Sequence, residues 1–463
     1  MTSPSATLAS ETLPSETLPS ETLPSGTLGR LLSERRALIG IVGLGYVGLP
    51  LALAALRAGF SVLGFDVDPR RVAALNRGEG AFHHIPGEAL GPALAAGTFA
   101  ATGDMARLNE PDAVLICVPT PLTRHREPDL SYVEATARAV AAALRPGQLV
   151  VLESTTYPGT TAEVMRPILE AGGLRSGRDF FLAYSPERED PGNGEFDTAR
   201  IPKVVGADDA AARSLAEALY GALVVRTVPV SSAAAAEAVK LTENIFRSVN
   251  IALVNELKLV YDAMGIDVWE VIQAAATKPF GFMPFQPGPG LGGHCIPIDP
   301  FYLAWKAREF DVPARFVELA GEVNTRMPYH VVERLAAAVD RTGRAFSAAR
   351  VLVLGLSYKR NVEDTRESPA LKLIRLIEAR GAAALYHDPL VPVLPATREH
   401  PELAGRRSEP LTPETLRAVD AVLIATDHDG VDYALVARHA RLVVDTRNVM
   451  ARHGLTGATI VKA

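Results

Sequence analysis

Cysteine is nearly missing: two thiols, Cys117 and Cys295, serve 463 residues. Two such residues in unrelated contexts give neither a disulfide framework nor metal-ligand spacing. They argue against a stapled secreted scaffold and a structural zinc site, and they suit a reducing cytoplasm. Runs of Lys or Arg are also lacking and the formal charge is −6, so nucleic acid is not an expected partner. An apolar run free of helix breakers is the third absence. Ala37 to Leu56 carries no charge and follows Arg35-Arg36, yet Gly40, Gly43, Gly45, Gly48 and Pro50 interrupt it. A strand, a turn and a helix explain each of these residues, and no membrane association is expected.

What is present divides the chain. Its length suggests roughly three domains. Glu11 to Ser25 repeats Glu-Thr-Leu-Pro-Ser three times. One leucine per repeat cannot offset the entropy of ordering, so residues 1–34 read as a disordered low-complexity tail, up to about Leu32. From Ala37, short β-branched runs alternate with alanine-rich amphipathic segments. Strands are expected at Leu38 to Val42, Ser61 to Phe65, Ala113 to Cys117, Leu149 to Leu152, Phe180 to Tyr184 and Lys203 to Val205, forming a parallel sheet covered on both faces. Cys117 ends one of them as a core thiol. Ala233 to Met264 contains no Pro or Gly and predicts one very long helix, a domain connector or subunit interface.

After a second helical region, Pro313 to Arg341, the βαβ texture returns. The two ends of the chain echo each other: Asp112-Ala-Val-Leu-Ile-Cys117 matches Asp420-Ala-Val-Leu-Ile-Ala425, and Phe65-Asp-Val-Asp-Pro69 parallels Tyr386-His-Asp-Pro389. The fold class expected is α/β, with two Rossmann-like doubly wound domains, 37–229 and 343–463, joined by a helical and dimerising domain, 230–342.

Gly43, Gly45 and Gly48 take the GxGxxG spacing between an apolar strand and a helix, and Asp66 ends the next strand. That unit predicts a dinucleotide site: a tight turn, close approach to the pyrophosphate, close helix packing, and a carboxylate on the ribose hydroxyls. Asp66 would repel a 2′-phosphate, so NAD is expected rather than NADP. Tyr46, Val47, Thr120 and Thr155 complete the expected cofactor contacts. By contrast, Leu354-Gly-Leu-Ser-Tyr-Lys359 has one glycine followed by a lysine, which suggests a different phosphate-bearing ligand for the C-terminal sheet.

The remaining chemistry gathers around Cys295. Gly288-Pro-Gly-Leu-Gly-Gly-His-Cys-Ile-Pro-Ile-Asp-Pro300 is too rich in Gly and Pro to be ordinary core, and such a loop can bring a thiol against a ligand. Lys240 and Asn244 share one helix face, and Asp299 follows Cys295 by four residues. With Glu153-Ser-Thr-Thr-Tyr-Pro-Gly159, Ser185-Pro-Glu187 and Tyr358-Lys-x-x-x-x-Asp-Thr-Arg-Glu-Ser-Pro369, these motifs make the chain resemble the UDP-glucose/GDP-mannose dehydrogenase family from about Leu38 to the C-terminus.

The resemblance implies NAD-dependent, four-electron oxidation of the C6 alcohol of a UDP-sugar to a carboxylate. Cys295 would capture the aldehyde as a thiohemiacetal that becomes a thioester. Lys240 and Asn244 would stabilise the oxyanion, Asp299 and Thr155 would position a water, and Glu187 would act as a base. Arg188, Gly292, Gly293, Lys359 and Arg366 are expected to meet substrate with Glu187, Lys240 and Asn244, Arg366 at either substrate or cofactor. His294 is expected to be structural or to contact substrate. No metal is expected.

One departure bears on the substrate. Where UDP-glucose dehydrogenases carry a second glutamate, this chain reads Pro186-Glu-Arg-Glu-Asp-Pro191-Gly192, and Lys278-Pro-Phe-Gly-Phe-Met-Pro-Phe285 precedes the glycine loop. Both segments resemble the branch acting on UDP-N-acetylhexosamines, closest to UDP-N-acetylglucosamine 6-dehydrogenases. UDP-glucose, UDP-N-acetylgalactosamine and UDP-N-acetylmannosamine stand as alternatives. More remote are a β-hydroxyacid dehydrogenase, which needs no thiol, and a non-catalytic nucleotide-binding protein.

Overall fold

The computed structural model describes residues 24–79, 87–123, 125, 127–188, 200–293 and 296–463. The first sheet contains β1 (Leu38–Val42), β2 (Ser61–Phe65), β3 (Phe99–Thr102), β4 (Ala113–Ile116), β5 (Leu149–Leu152), β6 (Phe181–Tyr184), β7 (Lys203–Gly206) and β8 (Thr227–Val230). Their spatial order is β3-β2-β1-β4-β5-β6-β7-β8, parallel except for the single antiparallel pairing of Tyr184 with Gly206 between β6 and β7. The first six strands have the doubly wound dinucleotide-binding order.

The second sheet contains β9 (Arg350–Leu354), β10 (Ala383–His387), β11 (Ala421–Ile424), β12 (Leu442–Asp445) and β13 (Thr459–Lys462), ordered β10-β9-β11-β12-β13 and parallel throughout. That is the other common doubly wound order, with its switch point between β9 and β11. The expected α/β class with two Rossmann-like sheets and a helical middle is therefore borne out. Helices cover both faces of each sheet, so strand residues are buried on either side. Leu115 joins one core while its neighbours Val114 and Ile116 join the other. This is why the strands read as continuous apolar runs.

Among the described residues the tail expectation fails from Pro24 onward, and residues 1–23 lie outside them. Pro24–Ser33 is a helix packed on helix Ala210–Leu223, with Leu28 and Leu32 buried. The last repeat drifts to Thr-Leu-Gly-Arg-Leu-Leu, so leucines fall one helical turn apart. Each buried one contributes roughly 1.5–3 kcal/mol, which the regular repeats cannot match.

The middle of the chain is built on helix Ala233–Met264, 32 residues long, or about 48 Å. The Ser232 side chain caps its first turn by accepting the Ala235 N–H, and Gly265, at φ +75°, ends it. Helix Arg315–Asp340 packs along it. No described helix is long and apolar enough to cross a membrane.

Candidate active site

One line of polar residues on the long helix organises the site. Glu237, Asn244, Ser248 and Asn255 fall within about 20° of one line along the helix at 100° per residue, and all are buried. Glu237 accepts the Gly159 N–H at 2.6 Å and the Thr161 N–H at 2.9 Å, as well as the Thr161 hydroxyl at 2.6 Å. It thereby fixes the loop Ser154–Gly159, which carries half-buried Thr155 and leads into the π-helical turn Thr160–Met165. Ser154 ties the same loop to the Val118 carbonyl at 2.6 Å.

Further along, Asn244 Nδ2 donates to Asp299 Oδ2 at 2.5 Å. Burial pushes the Asp299 carboxyl up to about 7, against the opposing pull of the Lys240 ammonium and the Asn244 amide. Lys240 is itself buried. Asp299 begins helix Asp299–Ala307, and one turn later Tyr302 donates its hydroxyl to the Thr120 carbonyl at 2.6 Å. Near the end of the polar line, Asn255 Oδ1 accepts the Gly288 N–H at 3.0 Å, while its amide donates to Asn324 on the neighbouring helix at 2.9 Å. The helix thus holds the Thr155 loop, Asp299 and the entry of the Gly288–Asp299 loop from one side. His294 and Cys295 lie outside the described residues.

Gly292 and Gly293 are filled from outside by protein. A Cβ on Gly293 (φ +86°) would come within 2.8 Å of the Tyr358 ring, and one on Gly292 within 2.7 Å of the Tyr358 Cβ. The Gly293 N–H bonds the Arg366 carbonyl at 3.2 Å. The Arg366 guanidinium, braced by Asp364, stands 4.6 Å over the Tyr46 ring. Arg366 therefore touches both the glycine turn after β1 and the cysteine-bearing loop. Lys359 is half-buried on the same C-terminal segment. A cavity of about 780 Å³ opens between the domains, reached by Pro121, Ile296, Asn324, Arg366 and Lys372.

Glu187 sits just past β6. Its Oε2 lies 3.3 Å from the Lys203 ammonium, which also meets Glu153 Oε2 at 2.6 Å. Arg188 turns to the long helix, binding Glu243 at 2.6 Å and the Pro202 carbonyl at 2.6 Å. Pro191 lies outside the described residues.

The turn after β1 fits a dinucleotide. Gly43 has φ +93°, and a Cβ on Gly48 would lie 1.9 Å from the Gly43 carbonyl oxygen, whereas above Gly45 nothing comes within 4 Å. Val47 is half-buried in the same turn. Asp66 accepts the Leu44 N–H at 3.0 Å and the Asp68 N–H at 2.9 Å, with Arg71 at 2.9 Å. Backbone and open space for a pyrophosphate stand beside a carboxylate suited to a ribose. Among the described residues, no group of three or more His, Cys, Asp or Glu could hold a metal.

Known proteins resemble this chain along most of its length. Residues 37–224, 234–326 and 352–452 match the NAD binding, central and UDP binding domains of the UDP-glucose/GDP-mannose dehydrogenase family. A UDP-N-acetyl-D-mannosamine dehydrogenase of Pyrococcus horikoshii is 35% identical over 89% of this chain and 96% of its own length. The chain belongs to the UDP-glucose/GDP-mannose dehydrogenase family. Within that family, a solved UDP-D-ManNAc dehydrogenase structure from P. horikoshii superposes with a TM-score of 0.80 at 35% identity, covering 89% of this chain and 95% of that one. Similar relatives include an NDP-N-acetyl-D-galactosaminuronic acid dehydrogenase of Ralstonia nicotianae, 36% identical over 89% of this chain and 96% of the relative. A UDP-N-acetyl-D-glucosamine 6-dehydrogenase of Pseudomonas aeruginosa is 34% identical over 84% and 90%.

Like its family, the protein is an NAD-dependent nucleotide-sugar dehydrogenase, as its motifs indicated. Sequence reasoning missed Glu237, Asn255, Lys203 and Arg447. Arg447, just past β12, donates to the Ala425 carbonyl at 2.9 Å, and its guanidinium would meet a Cβ on Gly288 at 2.7 Å. A polar line recurring on an otherwise apolar helix could have signalled the first two. The other two depend on partners far away in sequence.

Proposed function

We propose that the protein oxidises the C6 alcohol of UDP-N-acetylglucosamine to the carboxylate through a cysteine-bound intermediate. The observation carrying this reading is the buried junction of Lys240, Asn244 and Asp299 beside the loop that bears Cys295. Two molecules of NAD, held one after the other by the turn Gly43 to Gly48 and by Asp66, supply the oxidising capacity. Thr120 and Thr155 flank that site. Uridine diphosphate belongs to the C-terminal sheet, with Lys359 and Arg366 at the cleft.

The Cys295 sulfur bonds to C6 of the aldehyde, whose oxygen takes the proton, and oxidation of this thiohemiacetal leaves a thioester. Lys240 and the second N–H of Asn244 stabilise charge on the C6 oxygen, worth roughly 3–4 kcal/mol per donor in comparable sites. Asp299 and Thr155 position the water. It adds to C6 while Glu187 takes its proton, and the C–S bond breaks to release the acid and the Cys295 thiolate, which takes the proton back from Glu187. The Pro191 departure and the aromatic segment before the glycine loop support an N-acetylhexosamine, and the relatives named for such sugars agree.

A panel of UDP-glucose and the three UDP-N-acetylhexosamines tests this reading. It should give two NADH per sugar, with UDP-N-acetylglucosamine preferred. Cys295→Ser should lower carboxylate formation by roughly three orders of magnitude or more while leaving NAD binding intact. Undiminished turnover would place the protein with single-step hydroxyacid dehydrogenases, and a different preferred sugar would replace the substrate.

The same reading includes a homodimer. Opposite the polar line, Phe246, Leu253, Val260 and Met264 form an exposed apolar stripe on the long helix, the kind of face a second copy covers. Light scattering should give twice the chain mass at micromolar concentration, and a monomer would refute it.

A further inference from the structure

Behind Glu187 lies a cluster of charges that the proposed chemistry has not used. Lys203 opens β7 with its side chain 4% exposed, against 0% for Glu153 just past β5 and 13% for Glu187 past β6. The second carboxylate oxygen of Glu153 accepts the Tyr220 hydroxyl from helix Ala210–Leu223, and the Lys203 ammonium stands 5.5 Å over the Tyr220 ring. Cys117 beyond β4 and Tyr184 at the end of β6 feel the same charges, and burial raises both well above their ordinary values, so neither is ionised near neutral pH. Asp299 and Glu237 also act on Tyr184. Arg188 engages Glu243 on the long helix. Burial lowers the Lys203 pKa, but Glu153 and Glu187 outweigh it and hold the ammonium charged. One buried cation therefore faces two carboxylates, of which only Glu187 is partly open.

If Glu187 were the sole partner of Lys203, each proton it accepted would leave a buried ammonium uncompensated, a costly state. Glu153 eases that problem: burial raises its pKa, but the Lys203 ammonium and the Tyr220 hydroxyl, both bonded to it, oppose the rise and favour its charged form. Resting on the reading of Glu187 as the base, we propose that Lys203 is its positioning residue. It keeps Glu187 ionised and aimed at the hydrolytic water, with Glu153 as a permanent counter-ion, so that Glu187 alone changes charge during turnover.

The test is the pH dependence of thioester hydrolysis, followed by rapid-quench single turnover in the full-length enzyme with UDP-N-acetylglucosamine and NAD. Folding is checked by circular dichroism. The paired variant Lys203→Met/Glu153→Gln removes one charge of each sign. Losing the adjacent opposite charge outweighs losing the farther like charge, so the acid limb should move up, by less than the roughly one pH unit or more that an opposite charge lost alone would give, with KM for both substrates within about threefold. Lys203→Arg should restore the original limb. Glu153→Gln alone leaves Lys203 entirely to Glu187 and should move the limb down.

An unmoved limb in the folded paired variant overturns the proposal. If that variant does not fold, an unmoved limb in Glu153→Gln overturns it equally. Glu187→Gln separates the two claims. Full hydrolysis in that variant refutes the base itself, whereas lost hydrolysis together with an unmoved limb in the paired variant refutes only the role of Lys203.

Discussion

After its first strand each sheet makes the same turn. Gly43 and Gly355 share left-handed backbone, φ +93° and +82°, and in each a Cβ would strike the carbonyl oxygen of Cys117 or Thr426, at 2.6 and 2.4 Å. Each donates its N–H to the end of the second strand, Phe65 at 2.8 Å and His387 at 2.9 Å. The next amide then bonds an aspartate, Leu44 to Asp66 at 3.0 Å and Leu356 to Asp388 at 2.6 Å.

Beyond that point they part. After Gly43 there is open space at Gly45 and a helix beginning at Gly48, whereas after Gly355 the next helix waits until Pro369. Asp388 is closed off by the chain itself. Ser357 and His428 both reach it, at 3.3 and 3.2 Å. The Asn361 N–H occupies His428 Nδ1, so Nε2 carries the proton that Asp388 accepts. An aspartate at the end of the second strand is thus no ribose site in itself. Open space and a nearby helix N-terminus make it one.

The largest difference should appear on neutralising the two aspartates. Asp388→Asn should cost about 3 kcal/mol, because buried amides and His428 lose a charged acceptor, read as weaker hydrogen-exchange protection of β9 to β12. Asp66→Asn also takes a charged acceptor from two amides and from Arg71, which is partly exposed, so it should cost less stability than Asp388→Asn and weaken NAD about 10- to 100-fold in a binding titration. Equal loss of stability in both variants would break the contrast.

Gly45→Ala sharpens it. The added methyl meets no protein atom, so stability should hold, while NAD affinity falls about tenfold and UDP-sugar affinity does not change. Unaltered NAD affinity would mean that the pyrophosphate lies elsewhere.

The smallest effect separates the middle of the chain from both sheets. Asp299 keeps its proton up to about 7 when folded, but an unfolded aspartate releases it near pH 4. The folded state therefore holds the extra proton between those values, so stability from this group falls as pH rises through that window and is undiminished below it. Asp299→Asn should flatten the slope of unfolding free energy by roughly 1 kcal/mol per pH unit there.

The sheets were legible where strands are buried on both faces, because Leu149 to Leu152 or Ala421 to Ile424 leave no other reading. Three strands escaped for reasons visible in place: Phe99–Thr102 alternates exposure, Thr227–Val230 contains Pro229, and Thr459–Lys462 is only half-buried at an edge. At the site, Lys240 and Asn244 showed because four residues make one helical turn. Lys203 did not, since its partner Glu153 is fifty residues away and only the sheet brings them together. The tail helix was misjudged because its two buried leucines were counted with a repeat they had already left.

Fastening two loops at three points along one side of a single rod has a consequence for how this protein can diverge. Adding or removing one residue rotates everything downstream by about 100°. Such a change between Glu237 and Asn255 would swing the Gly288 anchor away while the Gly159 anchor stayed put. The count of residues between those anchors is therefore fixed by chemistry.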